Sequence, residues 1–231
     1  MREIIFDTET TGLDKDKDRV IEIGCVEMVD RYLTGEVFHV YLNPQGIIIS
    51  DEAVKIHGLT NERLKDEKSF SDIVDDFLEF IDGATMVAHN ASFDIGFLNA
   101  ELKRVNKPLI SSNYVLDTLA MARRKFPMSP NSLDILCKRF GIDNSHRTFH
   151  GALLDAKILA DVYIELIGGK QGILNFDDRT NADNNNNASY TIKRRPQELS
   201  ARLNAQQIDM HTNFIKKIGK KALWNYFNIP Q

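Results

Sequence analysis

A chain of 231 residues, 42% of them hydrophobic, can bury one full core with length left over, so one domain plus a tail is expected. No apolar run approaches the roughly 18 residues of a membrane span, and the chain enters a strand-like run with no basic and apolar leader, which together predict a soluble, cytoplasmic protein. The net charge of −4 conceals a split: residues 1–167 carry 19 Lys and Arg against 28 Asp and Glu, while residues 168–231 carry 10 against 5. An acidic main domain gains little long-range attraction to nucleic acid, so any chemistry on such a substrate would lean on metal ions and on a partner that delivers the strand. Ordinary cytosolic acidity fits the same balance.

The first predicted element is a strand from Glu3 to Thr8, in which Ile4, Ile5 and Phe6 follow one another as they do in a strand covered on both faces. Asp7 and Glu9 close this run two positions apart, so they share a face and their carboxylates lie close together. Two such anions repel unless a proton or cation lies between them. On the pair alone, a strand running out into solvent at Thr8 explains the acids equally well. Val20 to Met28 and Val37 to Leu42 read as further strands, and the turn-rich links Asp14 to Asp18 and Leu33 to Gly35 predict an antiparallel meander.

Helical patterns follow. Phe70, Ile73, Val74, Phe77, Leu78 and Ile81 form one stripe with Gly83 as the stop. Met86 to Ala88 predicts a fourth strand, Ser92 to Val105 a helix, and Tyr114 to Leu116 a fifth strand. A helix after the cap-like Asn131 carries Leu133, Leu136, Cys137 and Phe140 and ends at Gly141; another runs from about Ala152 to Ile167 and ends at Gly168-Gly169. The result is an α/β fold with a mixed five-stranded sheet flanked by helices. Cys25 and Cys137 fall in an apolar strand and an apolar stripe, which predicts buried free thiols. Beyond Gly169, Asp177 to Ser189 has almost nothing apolar to bury and predicts a disordered linker. Pro196 can start a helical C-terminal tail with an interrupted stripe of Leu199, Leu203, Ile208, His211, Phe214, Ile215 and Ile218, followed by "ALWNYF".

Two later acids return to the opening pair. In "VAHNASFDIGF" Asp94 falls in the first turn of a helix, where a carboxylate suits the dipole and needs no further reason. In "HGALLDAKILA" Asp155 sits beside Leu154 and Ile158 on an otherwise buried stripe, where a cation is the natural partner. His150 would lie about 140° from Asp155 on a continuous helix, so His150 is expected on a loop before the helix, with Gly151 letting it lean over the first turn. Four carboxylates and one histidine make a hard-oxygen site suited to Mg²⁺ or Mn²⁺. Two such ions support phosphodiester hydrolysis, and a neutral histidine is a fitting base.

The order Asp-x-Glu, then Asp, then His-x4-Asp resembles the DEDD exonucleases of the histidine subtype, which have an RNase H-like fold. From Arg2 to about Gly169, "FDTETTGL", "HNASFDIGF", "NSLDILC" and "RTFHGALLDAKILA" are similar to the proofreading 3′→5′ exonucleases of bacterial DNA polymerase III. The resemblance implies that Asp7, Glu9 and Asp155 hold two divalent ions, Mg²⁺ or Mn²⁺, that Asp94 completes the metal site, and that His150 is the general base. It also implies that Glu52 and His57 contact the terminal nucleotide beside Asp7, Glu9 and Asp155. "QGILNF" resembles short peptides that bind sliding clamps, with Gln171, Leu174 and Phe176 as anchors; the start of a plain linker is the other reading. The expected organisation is an exonuclease domain over 1–169, a linker over 170–195, and a tail over 196–231 that docks on the DNA polymerase III alpha subunit. Packing of that tail on the nuclease domain is the alternative. A free-standing RNA-trimming enzyme lacks a use for the tail, and a non-catalytic scaffold would be expected to lose one of the five site residues.

Overall fold

A computed structural model describes residues 1–145, 149–168 and 204–218. The sheet has five strands in the order β3-β2-β1-β4-β5, namely β1 (Arg2–Thr10), β2 (Val20–Val29), β3 (Tyr32–Tyr41), β4 (Thr85–Ala88) and β5 (Val115–Asp117). The first three form the expected antiparallel meander, and β4 and β5 continue the sheet parallel to β1. Its helices are α1 (Asp51–His57), α2 (Asn61–Leu64), α3 (Phe70–Ile81), α4 (Ala91–Arg104), α5 (Thr118–Lys125), α6 (Leu133–Phe140) and α7 (Ala152–Leu166). α8 (Ala205–Ile218) belongs to a second compact unit, Phe176–Gln231, distinct from Met1–Asn175. No helix among the described residues is long and apolar enough to cross a membrane.

The central strand β1 is covered on both sides, which explains its unbroken apolar run. Ile4 and Phe6 join Cys25, Phe77 and Leu98 in one core, while Ile5 joins Val26, Met28, Leu159 and Tyr163 in the other. Both cysteines are buried and outside any disulfide, as expected, and burial pushes the Cys25 thiol up, away from the reactive thiolate. α8 is exposed except at Ile215, which is partly covered, and Ile208, Phe214 and Ile218 are among its accessible apolar residues.

Three local expectations need correction. The turn between β2 and β3 is Asp30-Arg31, with φ of 50° and 73°, whereas Leu33 to Gly35 lie inside β3. Two positive φ values give the primed hairpin turn that matches strand twist, and Asp-Arg carries none of the Asn-Gly signal that usually marks it. Asn131 does not cap α6. Ser132 occupies that position, while buried Asn131 donates to the Phe126 and Ser129 carbonyls at 3.2 and 2.8 Å. The sequence pattern also does not predict α1, α2 or α5. The linker Asp177 to Ser189, the helix start at Pro196, and Leu199, Leu203 and "ALWNYF" lie outside the described residues.

Candidate active site

Side chains alternate along β1, so Glu3, Ile5, Asp7 and Glu9 face α7 while Ile4, Phe6 and Thr8 face the opposite layer. Asp7 stands in register with Gly24 on β2. A Cβ at Gly24 would lie 2.1 Å from the Leu153 amide nitrogen and 2.3 Å from the Ala152 carbonyl carbon. Only glycine therefore lets the first turn of α7 lie this close to the sheet. That approach brings Asp155, itself 3% exposed, to the face that carries Asp7 and Glu9. Gly151 is extended backbone, and it turns His150 back over the first turn as expected, placing Nδ1 3.3 Å from Asp155 Oδ2.

Asp94 arrives from the other side of the sheet, in the first turn of α4. One carboxylate oxygen accepts from the Thr8 amide at 3.1 Å and from the Thr8 hydroxyl at 2.7 Å. Burial raises the Asp94 pKa to about 7, although the Thr8 hydrogen bonds oppose the shift; the nearby Asp117 charge adds to it. The turn that delivers Asp94 is pinned by residues the sequence reading missed. Asn90 is left-handed, with φ 67°, and its amide donates to Asp117 Oδ1 at 3.0 Å, the same oxygen that caps α5 by accepting from the Leu119 amide at 2.9 Å. His89 spans from Thr118 Oγ1 to the Asn131 carbonyl, both at 2.9 Å. The "DT" at the start of α5, with Asp117 as the cap, was the available signal.

Asp7, Glu9, Asp94, His150 and Asp155 line one cleft of about 220 Å³. Within it Glu9, His150 and Asp155 each offer a ligand atom, all within 4.8 Å of one another. Asp7 and Asp94 border the same cleft outside that tight trio. Buried carboxylates from three elements, one of them with its pKa raised by burial, repel one another without a cation, so the donor set fits a hard divalent ion.

Glu52 and His57 stand on α1 and border an adjoining cavity of about 580 Å³, which shares Thr8, Glu9 and Phe93 with the cleft. His57 Nδ1 accepts the Leu59 amide at 3.0 Å, which places the ring hydrogen on Nε2. Nε2 is buried without a hydrogen-bond partner among the described residues. Burial holds the imidazole below its ordinary pKa, the Thr10 carbonyl pulls the other way, and the His150 charge pushes it further down. His57 is thus a neutral donor in a cavity, a role its place in "KIHGLT" did not disclose. Gln171, Leu174 and Phe176 lie outside the described residues.

A five-stranded mixed sheet with this acidic cleft defines a nuclease of the exonuclease class, and the exonuclease family model matches residues 4–163. The chain belongs to this family and, within it, to the DNA polymerase III epsilon subunits. It is 45% identical over 228 residues to the epsilon subunit of Rickettsia felis, covering 96% of this chain and 99% of that one. It is 48% identical over 177 residues to that of Escherichia coli K12, covering 73% and 72%. Among solved structures it is similar to exonuclease X in complex with 5′-overhanging duplex DNA, with TM-score 0.54 and 27% identity over 73% of this chain and 91% of that one. The fold also matches zinc-bound E. coli exonuclease I with single-stranded DNA, with TM-score 0.63 and 18% identity over 74% and 41%.

Proposed function

We propose that this chain removes mispaired 3′-terminal nucleotides as 5′-monophosphates, as the proofreading 3′→5′ exonuclease of a replicative DNA polymerase. One observation carries the reading: four carboxylates and a histidine converge on one cleft that opens into a cavity large enough for a nucleotide. Asp7, Glu9 and Asp155 would hold two ions, Mg²⁺ or Mn²⁺, with Asp94 completing the site. Such ions, when bound, lower the pKa of a water and offset charge on the leaving oxygen. His150 takes the proton of the attacking water. Asp155, 3.3 Å from Nδ1, favours the tautomer with hydrogen on Nδ1 and leaves the Nε2 lone pair for that proton.

Glu52 and His57 hold the terminal nucleotide, His57 by donating from Nε2 to a sugar oxygen that satisfies an otherwise unmatched buried N–H. Leu13, Ile48 and Ile56 are exposed on the cavity wall beside Phe93, an apolar lining suited to a nucleobase. The nuclease domain is 1–169, the linker 170–195, and the tail 196–231 docks on the DNA polymerase III alpha subunit. Exposed Ile208, Phe214 and Ile218 on α8, with Lys216 and Lys217 in its last turn, supply apolar anchors and a basic rim for that partner. Gln171, Leu174 and Phe176 contact a sliding clamp. The deciding assay follows hydrolysis of paired and mispaired 3′ ends, in DNA and in RNA, with each metal. Faster loss of mispaired DNA ends supports the reading, and a preference for RNA overturns it.

A further inference from the structure

α1 does more than carry Glu52 and His57. Its C-terminal end touches the segment that bears His150. The His150 amide donates to the Ile56 carbonyl at 3.0 Å. Two residues on, Gly58 caps α1 in the left-handed conformation, φ 74°, and returns its own amide to the Val54 carbonyl at 2.8 Å. The Phe149 ring rests on that glycine, so close that a Cβ there would lie 3.2 Å from the ring. Phe149 is 56% exposed, so this contact is not core packing and adds little to folding. On the other side of His150, Gly151 is the N-cap of α7, its carbonyl accepting from the Asp155 amide at 2.9 Å, which leaves the α1 contacts to fix the N-terminal side.

We propose that the end of α1 is the seat that positions His150, through the Ile56 carbonyl and the stacking of Phe149 on Gly58. The terminal nucleotide and the base that activates its attacking water are then aligned by one helix of seven residues. Phe149 is a positioning residue, since it reaches the reaction only through its neighbour. The inference rests on the reading of His150 as base. Misplacement of a catalytic group by about 1 Å can cost up to about 10²-fold in rate, and loss of the Phe149 contact alone should cost a part of that.

The test uses the full chain with Mn²⁺ or Mg²⁺ and single-stranded DNA. Phe149→Ala should lower kcat about tenfold with KM and melting temperature unchanged. Phe149→Leu, which keeps an apolar face for Gly58, should recover most of the loss. In a His150→Gln background, Phe149→Ala should add nothing, because the group it positions is gone. Wild-type kcat in Phe149→Ala beside a crippled His150→Gln overturns the seat alone. So does a tenfold loss that persists in the His150→Gln background, which would put Phe149 on the substrate. Wild-type kcat in His150→Gln overturns the base reading, and the seat with it.

Discussion

Asp155 and His150 lie 3.3 Å apart yet belong to regions built on different terms. Asp155 is 3% exposed on a helix whose first turn is pressed onto β2 at Gly24, and its neighbours Asp7 and Glu9 stand on the central strand. The His150 side chain is 45% exposed and hangs from backbone anchored at the end of a short helix. The acidic half of the cleft is therefore inseparable from the central strands, whereas His150 and the α1 face that carries Glu52 and His57 form its rim, joined to β2 through the smaller cluster of Ile21, Ala53 and Val54. Substitutions on the two sides should differ accordingly in what they cost.

The largest effect on activity is expected on the core side. Asp7→Ala, Glu9→Ala and Asp155→Ala should each abolish hydrolysis while the protein stays folded, because each removes a ligand from a cluster that is repulsive without metal. Stability of the metal-free variants, read by thermal melting after chelation, should equal or exceed that of the metal-free wild type. Full activity in any of the three would separate the acids from the reaction.

On the rim, His150→Gln should keep metal binding, measured by calorimetry, and lose roughly 10²- to 10⁴-fold in rate. A variant that binds Mn²⁺ like the wild type and still hydrolyses DNA at the wild-type rate would remove His150 from the mechanism.

Gly24→Ala sharpens the contrast from a position buried between β2 and α7. The new methyl would meet backbone at 2.1 Å, and backbone cannot swing aside as a side-chain tip can, so α7 must move off the sheet. A cost of about 1–3 kcal/mol in stability is typical of such overpacking. Metal affinity should weaken as Asp155 moves away from Asp7 and Glu9. A variant that binds Mn²⁺ as tightly as wild type would show that the close approach is not needed for the site.

The core half of the cleft was the legible half. An apolar run interrupted by two acids of one face, and an acid on a buried helical stripe, both announce a carboxylate that the fold has no reason to bury. Asp94 was weaker, because a first-turn acid has an ordinary explanation and its partner Thr8 is 86 positions away. On the rim, His150 was legible from its offset to Asp155, whereas the elements around it were not. α1 has 7 residues and α2 has 4, too short to show a helical period, although Ser50 and Thr60 were there to read as caps. His57 owes its donor state to an amide two residues along the chain and its burial to the fold, and neither leaves a mark in local sequence. The hairpin turn was misplaced for a like reason: Asp30-Arg31 adopts positive φ without the residues that usually ask for it.

The smallest expected effect lies in the metal-free protein and isolates Asp94. Its folded pKa of about 7 is raised from an ordinary 3.8 by burial, so between those values the folded state holds a proton that the unfolded state has released. The resulting stability is complete below about 3.8 and is lost as pH rises toward 7. His57 and His89, both held low by burial, act in the opposite sense, since folding becomes easier as the unfolded imidazoles lose their protons. Asp14, Glu27 and Asp72 are lowered by their hydrogen-bonding partners, so their contributions fade only at the acidic end. The slope of the wild type alone is thus a sum of opposed parts, and the informative quantity is the difference from Asp94→Asn, in which every other group is shared. Denaturant melts after chelation should show Asp94→Asn gaining on the wild type as pH rises from about 4 to 7. Divalent metal should then reverse the order at neutral pH, because a bound cation favours the carboxylate that burial disfavours. Parallel pH curves for the two metal-free proteins would mean that Asp94 is ionised in the fold without help, and that a cation is not what its burial calls for.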